Sequence, residues 1–280
     1  MTSTTLTSTT HAETASRATY APWPPTAPVS PEEATPLGLV SLVIPAMNEE
    51  LNVAWVLSQI PAVVDEVVLV DGHSIDNTVA VAREAFPGIV IVTQEGRGKG
   101  AALRTGFAAA RGEFVVMIDA DGSMDPTEIK RYVAKLRAGY DFVKGSRYMD
   151  GGGSTDLTGL RSFGNRFLMG MVNALYGARF TDLCYGYCGF SRRGLRALDL
   201  DADGFEIETQ IAVRALMARL AIAEVPTFES ERMNGTSNLN TFRDGQRVLR
   251  TLLGERLRWR PRLTQPDTSV QVEAGNPAMP

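Results

Sequence analysis

Between residues 39 and 138 the chain repeats one pattern four times: a short apolar run, then a longer stretch with apolar residues at three- and four-residue steps. The runs LVSLVIPA (39–46), EVVLVDG (66–72), GIVIVTQ (88–94) and EFVVMIDAD (113–121) predict β-strands. The stretches NEELNVAWVLSQI (48–60), DNTVAVAREAF (76–86), KGAALRTGFAAA (99–110) and PTEIKRYVAKLRA (126–138) predict helices. The last helix has the clearest start, with Asp125 at the N-cap, Pro126 in the first position and Glu128 completing a capping box. Gly139 suits its C-terminal end. Continuous apolar strands alternating with helices predict an α/β fold, a Rossmann-like, mostly parallel sheet with helices on both faces. In such sheets ligands bind outside the carboxyl ends of the strands. Those ends read IPAMNEE, VDGHS and IDADGS, so polar residues gather where the crevice should open. After residue 150 the alternation breaks down, and that half is expected to supply further contacts and lids.

IDADGS raises a physical problem. Two like charges about 4 Å apart at an effective dielectric near 20 repel by about 4 kcal/mol. On a continuing strand, Asp119 and Asp121 would share a face, with Cα atoms about 6.6 Å apart. Magnesium takes oxygen ligands at about 2.1 Å, commonly one or two carboxylates plus phosphate oxygens. The strand is therefore expected to break at Asp121, with one carboxylate binding a cation directly. The competing reading is a plain Asp121-Gly122 turn with Asp119 capping nearby amides. Asp71, at the end of the second strand, suits a ribose hydroxyl or a base N–H, or an Asx turn before Ser74 and Asp76. Glu49 suits a helix N-terminus. EGRGKGAALRTG (95–106) is glycine-rich and carries Arg97 and Lys99 just before a helix, an arrangement suited to an anion. It is not a Walker A loop, because Gly100 follows Lys99 where Ser or Thr is required.

Composition narrows the picture. A net charge of −4 and a pI near 5.4 exclude nucleic acid as a partner on bulk electrostatics, although arginines crowd residues 243–262. No run of 18 apolar residues occurs, so no membrane span is predicted. The opening MTSTTLTSTT lacks the basic and apolar regions of a secretory signal. Cys184 and Cys188 read as ordinary reduced thiols, and the cytoplasm is the expected compartment. Residues 1–36, rich in Thr, Ser and Pro, and residues 259–280 are expected to be disordered. The folded part then spans 37–258, with a nucleotide-binding half at about 37–150 and a second half at about 151–258. In that second half LRSFGNRFLMGMVNALY (160–176) predicts an amphipathic helix, packed on the core or lying on a membrane surface.

Taken together, these stretches resemble the dolichol-phosphate mannosyltransferase type of family 2 glycosyltransferases, which have the GT-A fold. VIPAMNEELN is similar to that family's V-I-P-x-x-N-E-x-x-N, VVLVDGHSIDNT to V-V-D-D-x-S-x-D-x-T, and GKGAALRTGF to K-x-G-L-G-x-A. MIDADGSMDP is similar to M-D-A-D-L-Q-H-P, VKGSRY contains G-S-R, FTDLCYGYCGFSR is similar to D-x-x-S-G-Y-R, and VPTFESERMNGTSNLN to V-P-x-x-F-x-x-R-x-x-G-x-S-K-L. The matches run collinearly from about 40 to 240.

The resemblance implies a metal-dependent, inverting hexosyltransferase. Its donor would be a nucleotide sugar of the GDP-mannose or UDP-glucose type, and its acceptor a polyprenyl phosphate. A hydroxyl of a saccharide or small metabolite is the alternative acceptor. Pro45, Met47, Glu49 and Asp71 would frame the nucleotide, with Lys99, Ala120 and Ser123 completing the donor site. Asp119 and Asp121 would hold Mg2+ or Mn2+ against the diphosphate. Arg147, Arg161 and Arg232 would bind phosphate groups of donor or acceptor. Asp182 would take the proton of a hydroxyl acceptor, or hold a loop through hydrogen bonds. The 160–176 helix would seat the enzyme peripherally on the inner face of the membrane, aided by the basic segment RVLRTLLGERLRWR. The excess of arginine over lysine points to a GC-rich bacterial genome. Ser123 stands where the family has Gln, Asn238 where it has Lys, and Cys184-Tyr185 where it has small residues. These departures bear on the identity of donor and acceptor. Sugar-nucleotide synthesis, which shares the sheet type, would show G-x-G-x-R-x-x-P after the first strand, and IPAMNEE does not.

Overall fold

In chain order the elements are β1 (Val40–Ala46), α1 (Val53–Ser58), β2 (Glu66–Asp71), α2 (Thr78–Ala85), β3 (Val90–Thr93), α3 (Lys99–Ala109) and β4 (Phe114–Met117). A 3-10 turn (Pro126–Glu128) leads into α4 (Ile129–Arg137), followed by β5 (Phe142–Ser146), β6 (Gly153–Ser154), α5 (Gly159–Tyr176), β7 (Cys188–Ser191) and α6 (Arg192–Leu198). The last described elements are α7 (Ile207–Met217), β8 (Ile222–Pro226), β9 (Phe228–Glu229) and α8 (Thr241–Arg258). This computed structural model describes residues 38–236 and 241–258; the two terminal segments expected to be disordered, and Asn238, lie outside the described residues.

Seven strands form one sheet in the order β3-β2-β1-β4-β7-β5-β8. Every pairing is parallel except those of β7, which runs antiparallel to β4 and β5 on either side. The two halves expected from the sequence therefore share a sheet, because β7, from beyond residue 150, lies between β4 and β5. Strand alternation sorts the core into two layers. Val40, Leu42 and Ile44 of β1 pack with Val53 and Leu57 of α1 and with Ile129 and Val133 of α4. Val43 faces the other way, into the layer formed by Leu103 and Phe107 of α3, Leu168 of α5, Ile211 of α7 and Leu252 of α8. Each such aliphatic side chain, fully buried, contributes about 1.5–3 kcal/mol.

Several elements are shorter than their sequence patterns, and in three the local reason is plain. The helix expected over 48–60 begins only at Val53, because Asn48 has φ 58° and the preceding turn interlocks with the β2–α2 turn. Asn48 N donates to Ser74 Oγ (3.0 Å), Ile75 N to Asn48 Oδ1 (2.9 Å) and Glu49 N to Thr78 Oγ1 (2.7 Å). The strand expected over 113–121 stops at Met117, where its pairing with Cys188 of β7 ends, so both aspartates lie in the following loop. Asp125 caps as expected, accepting from Thr127 N at 2.8 Å, but Glu128 turns away from the box to accept from Thr227 Oγ1, and the first turn tightens to 3-10.

The glycine-rich loop before α3 is a packing device. Gly100 N and Ala101 N donate to the Asp203 carbonyl at 2.8 and 3.2 Å, so the helix-start amides expected to meet an anion are already satisfied. A Cβ on Gly100 would stand 2.3 Å from Ala202 O, and one on Gly98, at φ 94°, would stand 2.4 Å from Asp203 O. Backbone meets backbone here, and neither side can give way. Gly98→Ala is expected to lower stability by about 2–4 kcal/mol in urea unfolding, combining positive-φ strain with overpacking.

Candidate active site

At the carboxyl ends of β1 and β4 the chain encloses an open cavity of about 1140 Å³. Its wall includes Pro45, Met47, Gly72 and Gln94 from the ends of the first three strands, Asp119, Ala120, Asp121 and Ser123 from the loop after β4, and Leu160, Arg161 and Leu168 of α5 with Val248 of α8. Gly122, at φ 78°, turns the chain just after Asp121. Asp121 Oδ1 accepts from Ser123 N (3.0 Å) and Ser123 Oγ (2.7 Å), the Asx turn that sequence allowed, yet the carboxylate still borders the cavity.

Each aspartate is matched by one cation, and each cation is shared with a second carboxylate from another element. Lys99 Nζ lies 2.8 Å from Asp119 and 2.8 Å from Glu208 of α7. Arg232 reaches Asp121 Oδ2 at 3.3 Å and also pairs with Glu49, which in turn accepts from Asn52 Nδ2 at 2.7 Å. Burial pushes the Asp119 carboxyl up, Lys99 pulls it down, and Asp121 and Glu208 push it up again, to about 6. Burial would weaken the Lys99 ammonium, but Asp119 and Glu208 outweigh it and hold the proton firmly. Lys99 is thus a counterion to two carboxylates, a different posture from the free cation expected beside an anion.

Arg147 is buried and largely committed. Its Nε and one terminal nitrogen grip Asp182 at 2.7 and 3.0 Å, its other terminal nitrogen meets Glu229 at 2.9 Å, and it also donates to Cys184 O at 2.9 Å. The guanidinium sits 4.7 Å from the Tyr185 ring centroid. Burial opposes its charge, but Asp182 and Glu229 hold it in the charged form. Asp182 is 0% exposed, accepts also from Asn165 Nδ2 at 2.9 Å, and is not on the cavity wall. These bonds are those of the loop-holding alternative: Asp182 sits behind Arg147 and Asn165, which line the cavity in front of it. Arg161 borders the cavity from the first turn of α5 and pairs with Asp156 at 2.8 Å. Asp71 stands outside the wall, accepting from Ser74 N at 3.1 Å, and Gly72 and His73 take its place there. Both cysteines are free thiols that burial pushes up to about 12, which leaves them inert.

Glu208 and Gln94 line the cavity without having been marked by any motif. Glu208 did leave a trace, the lone carboxylate of the stretch IETQIAVRALM. Gln94 closes an apolar strand, and only the fold turns it inward.

Residues 41–199 match the model of Glycosyl transferase family 2. The chain is 34% identical over 212 residues to glycosyltransferase AglJ of Haloferax volcanii, covering 74% of this chain and 68% of that one. It belongs to glycosyl transferase family 2. It is 30% identical over 223 residues to polyprenol monophosphomannose synthase of Mycolicibacterium smegmatis, covering 75% of this chain and 84% of that one. Two other curated relatives are longer, and the matches span 53% and 41% of their lengths. Among solved structures, glucosyl-3-phosphoglycerate synthase of Mycobacterium tuberculosis, in complex with Mn2+, UDP-glucose and phosphoglyceric acid, superimposes with a TM-score of 0.61 at 25% identity, over 78% of this chain and 79% of that one. The fold is of the same GT-A type.

Asp182→Asn leaves a buried guanidinium short of its main partner, so unfolding in urea is expected to show a loss of about 3–5 kcal/mol. A loss below about 1 kcal/mol would mean that the pair does not hold the loop.

Proposed function

We propose that this protein transfers a hexose from a nucleotide sugar to a polyprenyl phosphate, inverting the anomeric centre. The state of Asp182 carries the acceptor reading: the carboxylate expected to serve as base is fully buried and bound to Arg147. A phosphate acceptor is already an oxyanion at neutral pH and needs no such base, whereas a hydroxyl does. One of its oxygens attacks the anomeric carbon, the bond from that carbon to the donor diphosphate breaks, and the nucleoside diphosphate leaves with the electron pair.

The donor set suits a divalent cation. Two carboxylates border the cavity, and magnesium commonly takes one or two carboxylates completed by phosphate oxygens. Asp119 and Asp121 would hold Mg2+ or Mn2+, which when bound neutralises charge on the leaving diphosphate. Lys99 and Arg232, already beside these carboxylates, can turn their donors to diphosphate oxygens and stabilise the same charge. Arg161, on the α5 part of the same wall, would meet the acceptor phosphate.

Helix α5 supports a lipid acceptor. It buries Asn165, Leu168, Val172 and Tyr176 against the core but leaves Leu160, Phe163 and Phe167 at 57%, 71% and 56% exposure. An apolar ridge beside Arg161 suits a peripheral position on a membrane. Among the described residues no helix is long and apolar enough to cross one. The second reading, a small phosphorylated metabolite bearing a hydroxyl, is favoured by the likeness to glucosyl-3-phosphoglycerate synthase, whose crystals hold phosphoglyceric acid.

Incubation with Mg2+, polyprenyl phosphate and pooled nucleotide sugars, followed by mass spectrometry of the organic extract, tests the reading. A hexose-shifted lipid phosphate, lost with Asp121→Asn, is the expected result; nucleoside diphosphate released without a new lipid would replace it with the hydroxyl reading. Asp119 must be ionised to bind metal, and its carboxyl titrates at about 6. Mn2+-dependent binding of the nucleotide sugar should therefore weaken as pH falls, by about tenfold between about pH 7 and about pH 5 in calorimetry. Binding that stays level over that range would remove Asp119 from the metal site.

A further inference from the structure

Arg147, like Lys99 and Arg232, stands between two carboxylates, but its two legs are unequal. Asp182, fully buried, accepts from Nε and Nη2 at 2.7 and 3.0 Å and is held from behind by Asn165. Glu229, at the end of β9, accepts from Nη1 through one contact of 2.9 Å. Its side chain is 15% exposed and borders the cavity, as Arg147 does. Separating the buried pair would strand a charge away from water. Separating the Glu229 leg would not, provided another anion arrives from the cavity to take its place.

The surroundings of Glu229 identify that anion. Its Oε2 also accepts from Ser154 Oγ at 2.7 Å, and Ser154 Oγ accepts from Asp156 N and Leu157 N at 3.1 and 3.2 Å. Asp156 in turn pairs with Arg161 at 2.8 Å. One run of contacts therefore joins Arg147 to Arg161 along the cavity wall, beside the apolar Leu157 and Leu160. A phosphate that enters next to Arg161 meets Arg147 with a carboxylate already on Nη1, and two anions at one nitrogen repel. The more highly charged one prevails. A phosphate monoester carries a charge of about −1.5 to −2 at pH 7 and offers three acceptor oxygens. Glycosylation of one oxygen makes a diester, which has lost its second ionisation and competes less well. We propose that Glu229 is an exchangeable counterion of Arg147: the acceptor phosphate displaces it, and it returns once transfer has made that phosphate a diester, helping the product to leave. This inference rests on the reading that the acceptor is a polyprenyl phosphate.

Kinetics and calorimetry on the full chain test it. Glu229→Gln keeps an oxygen that accepts from Arg147 and Ser154 but removes the charge. It is expected to lower KM for polyprenyl phosphate by about 5- to 20-fold and to tighten inhibition by the glycosylated lipid by about the same factor. In the same variant kcat should change by less than about tenfold, and Mn2+-dependent affinity for UDP-glucose or GDP-mannose by less than about twofold. That split separates a displaceable charge from a structural role. The wild-type protein supplies a second measurement should the variant fail to fold: farnesyl phosphate is expected to bind at least about tenfold more tightly than its methyl diester. A KM and a product inhibition that stay level or rise in Glu229→Gln would overturn the inference, leaving Glu229 a fixed brace of Arg147. A larger loss of kcat at saturating acceptor would overturn it too, because Glu229 would then act as the base of a hydroxyl acceptor. Equal binding of monoester and diester would remove the exchange. Wild-type protein that glycosylates no polyprenyl phosphate would overturn the acceptor reading and this inference with it.

Discussion

Two carboxylates at the end of an apolar strand have to be neutralised, and much of the molecule around the cavity is arranged by that requirement. Asp119 and Asp121 draw one cation each, Lys99 from the start of α3 and Arg232 from the loop after β9. Each cation brings a second carboxylate, Glu208 or Glu49, from a third place in the chain. The result is two triads of one cation between two carboxylates, drawn from α3, α7 and the loops after β1, β4 and β9, which together leave two carboxylates in excess. At an effective dielectric near 20 each contact at about 3–4 Å is worth about 4–5 kcal/mol before desolvation, so neither cation could be removed without leaving two carboxylates uncompensated.

On the function proposed above, the excess of carboxylate would suit the cavity to a divalent cation brought in with a diphosphate. Lys99 and Arg232 would then stand beside the charge that develops on the leaving group, without having to be recruited from solvent. Arg147 and Asp182 do a different job nearby. Their bidentate pair, sealed by Asn165 and Glu229, fixes the chain that leads into Cys184, Tyr185 and Gly186 on the cavity wall, with Gly186 against Lys99.

The second half of the chain completes the sheet as well as the site. β7 enters antiparallel between β4 and β5, so the residues that follow the donor half in sequence are bonded into its centre. That insertion brings Tyr185 and Gly186 beside the aspartates, and α7 brings Glu208. Helix α5 divides its apolar residues between the core and an exposed ridge. Its three- and four-residue spacing announced an amphipathic helix but said nothing of which stripe would be buried.

Although the strand before the aspartates stopped at Met117 rather than at Asp121, local pattern was enough to read the strand–helix alternation, the location of the crevice at the strand ends and the cap at Asp125. These depend on periodicity, turn chemistry and the direction of parallel strands, all properties of short segments. Pairing was out of its reach. A lysine after glycines reads as an anion ligand in isolation, yet Lys99 meets Asp119 and Glu208. A helix start reads as an anion site, yet the Asp203 carbonyl fills it. Asp182 reads equally as base or brace until Arg147 is found against it. Sequence by itself determined which ionisable groups reach the strand ends; tertiary structure alone decided which of them neutralise one another, because charge pairing falls on residues up to 183 positions apart whose separation no local period records.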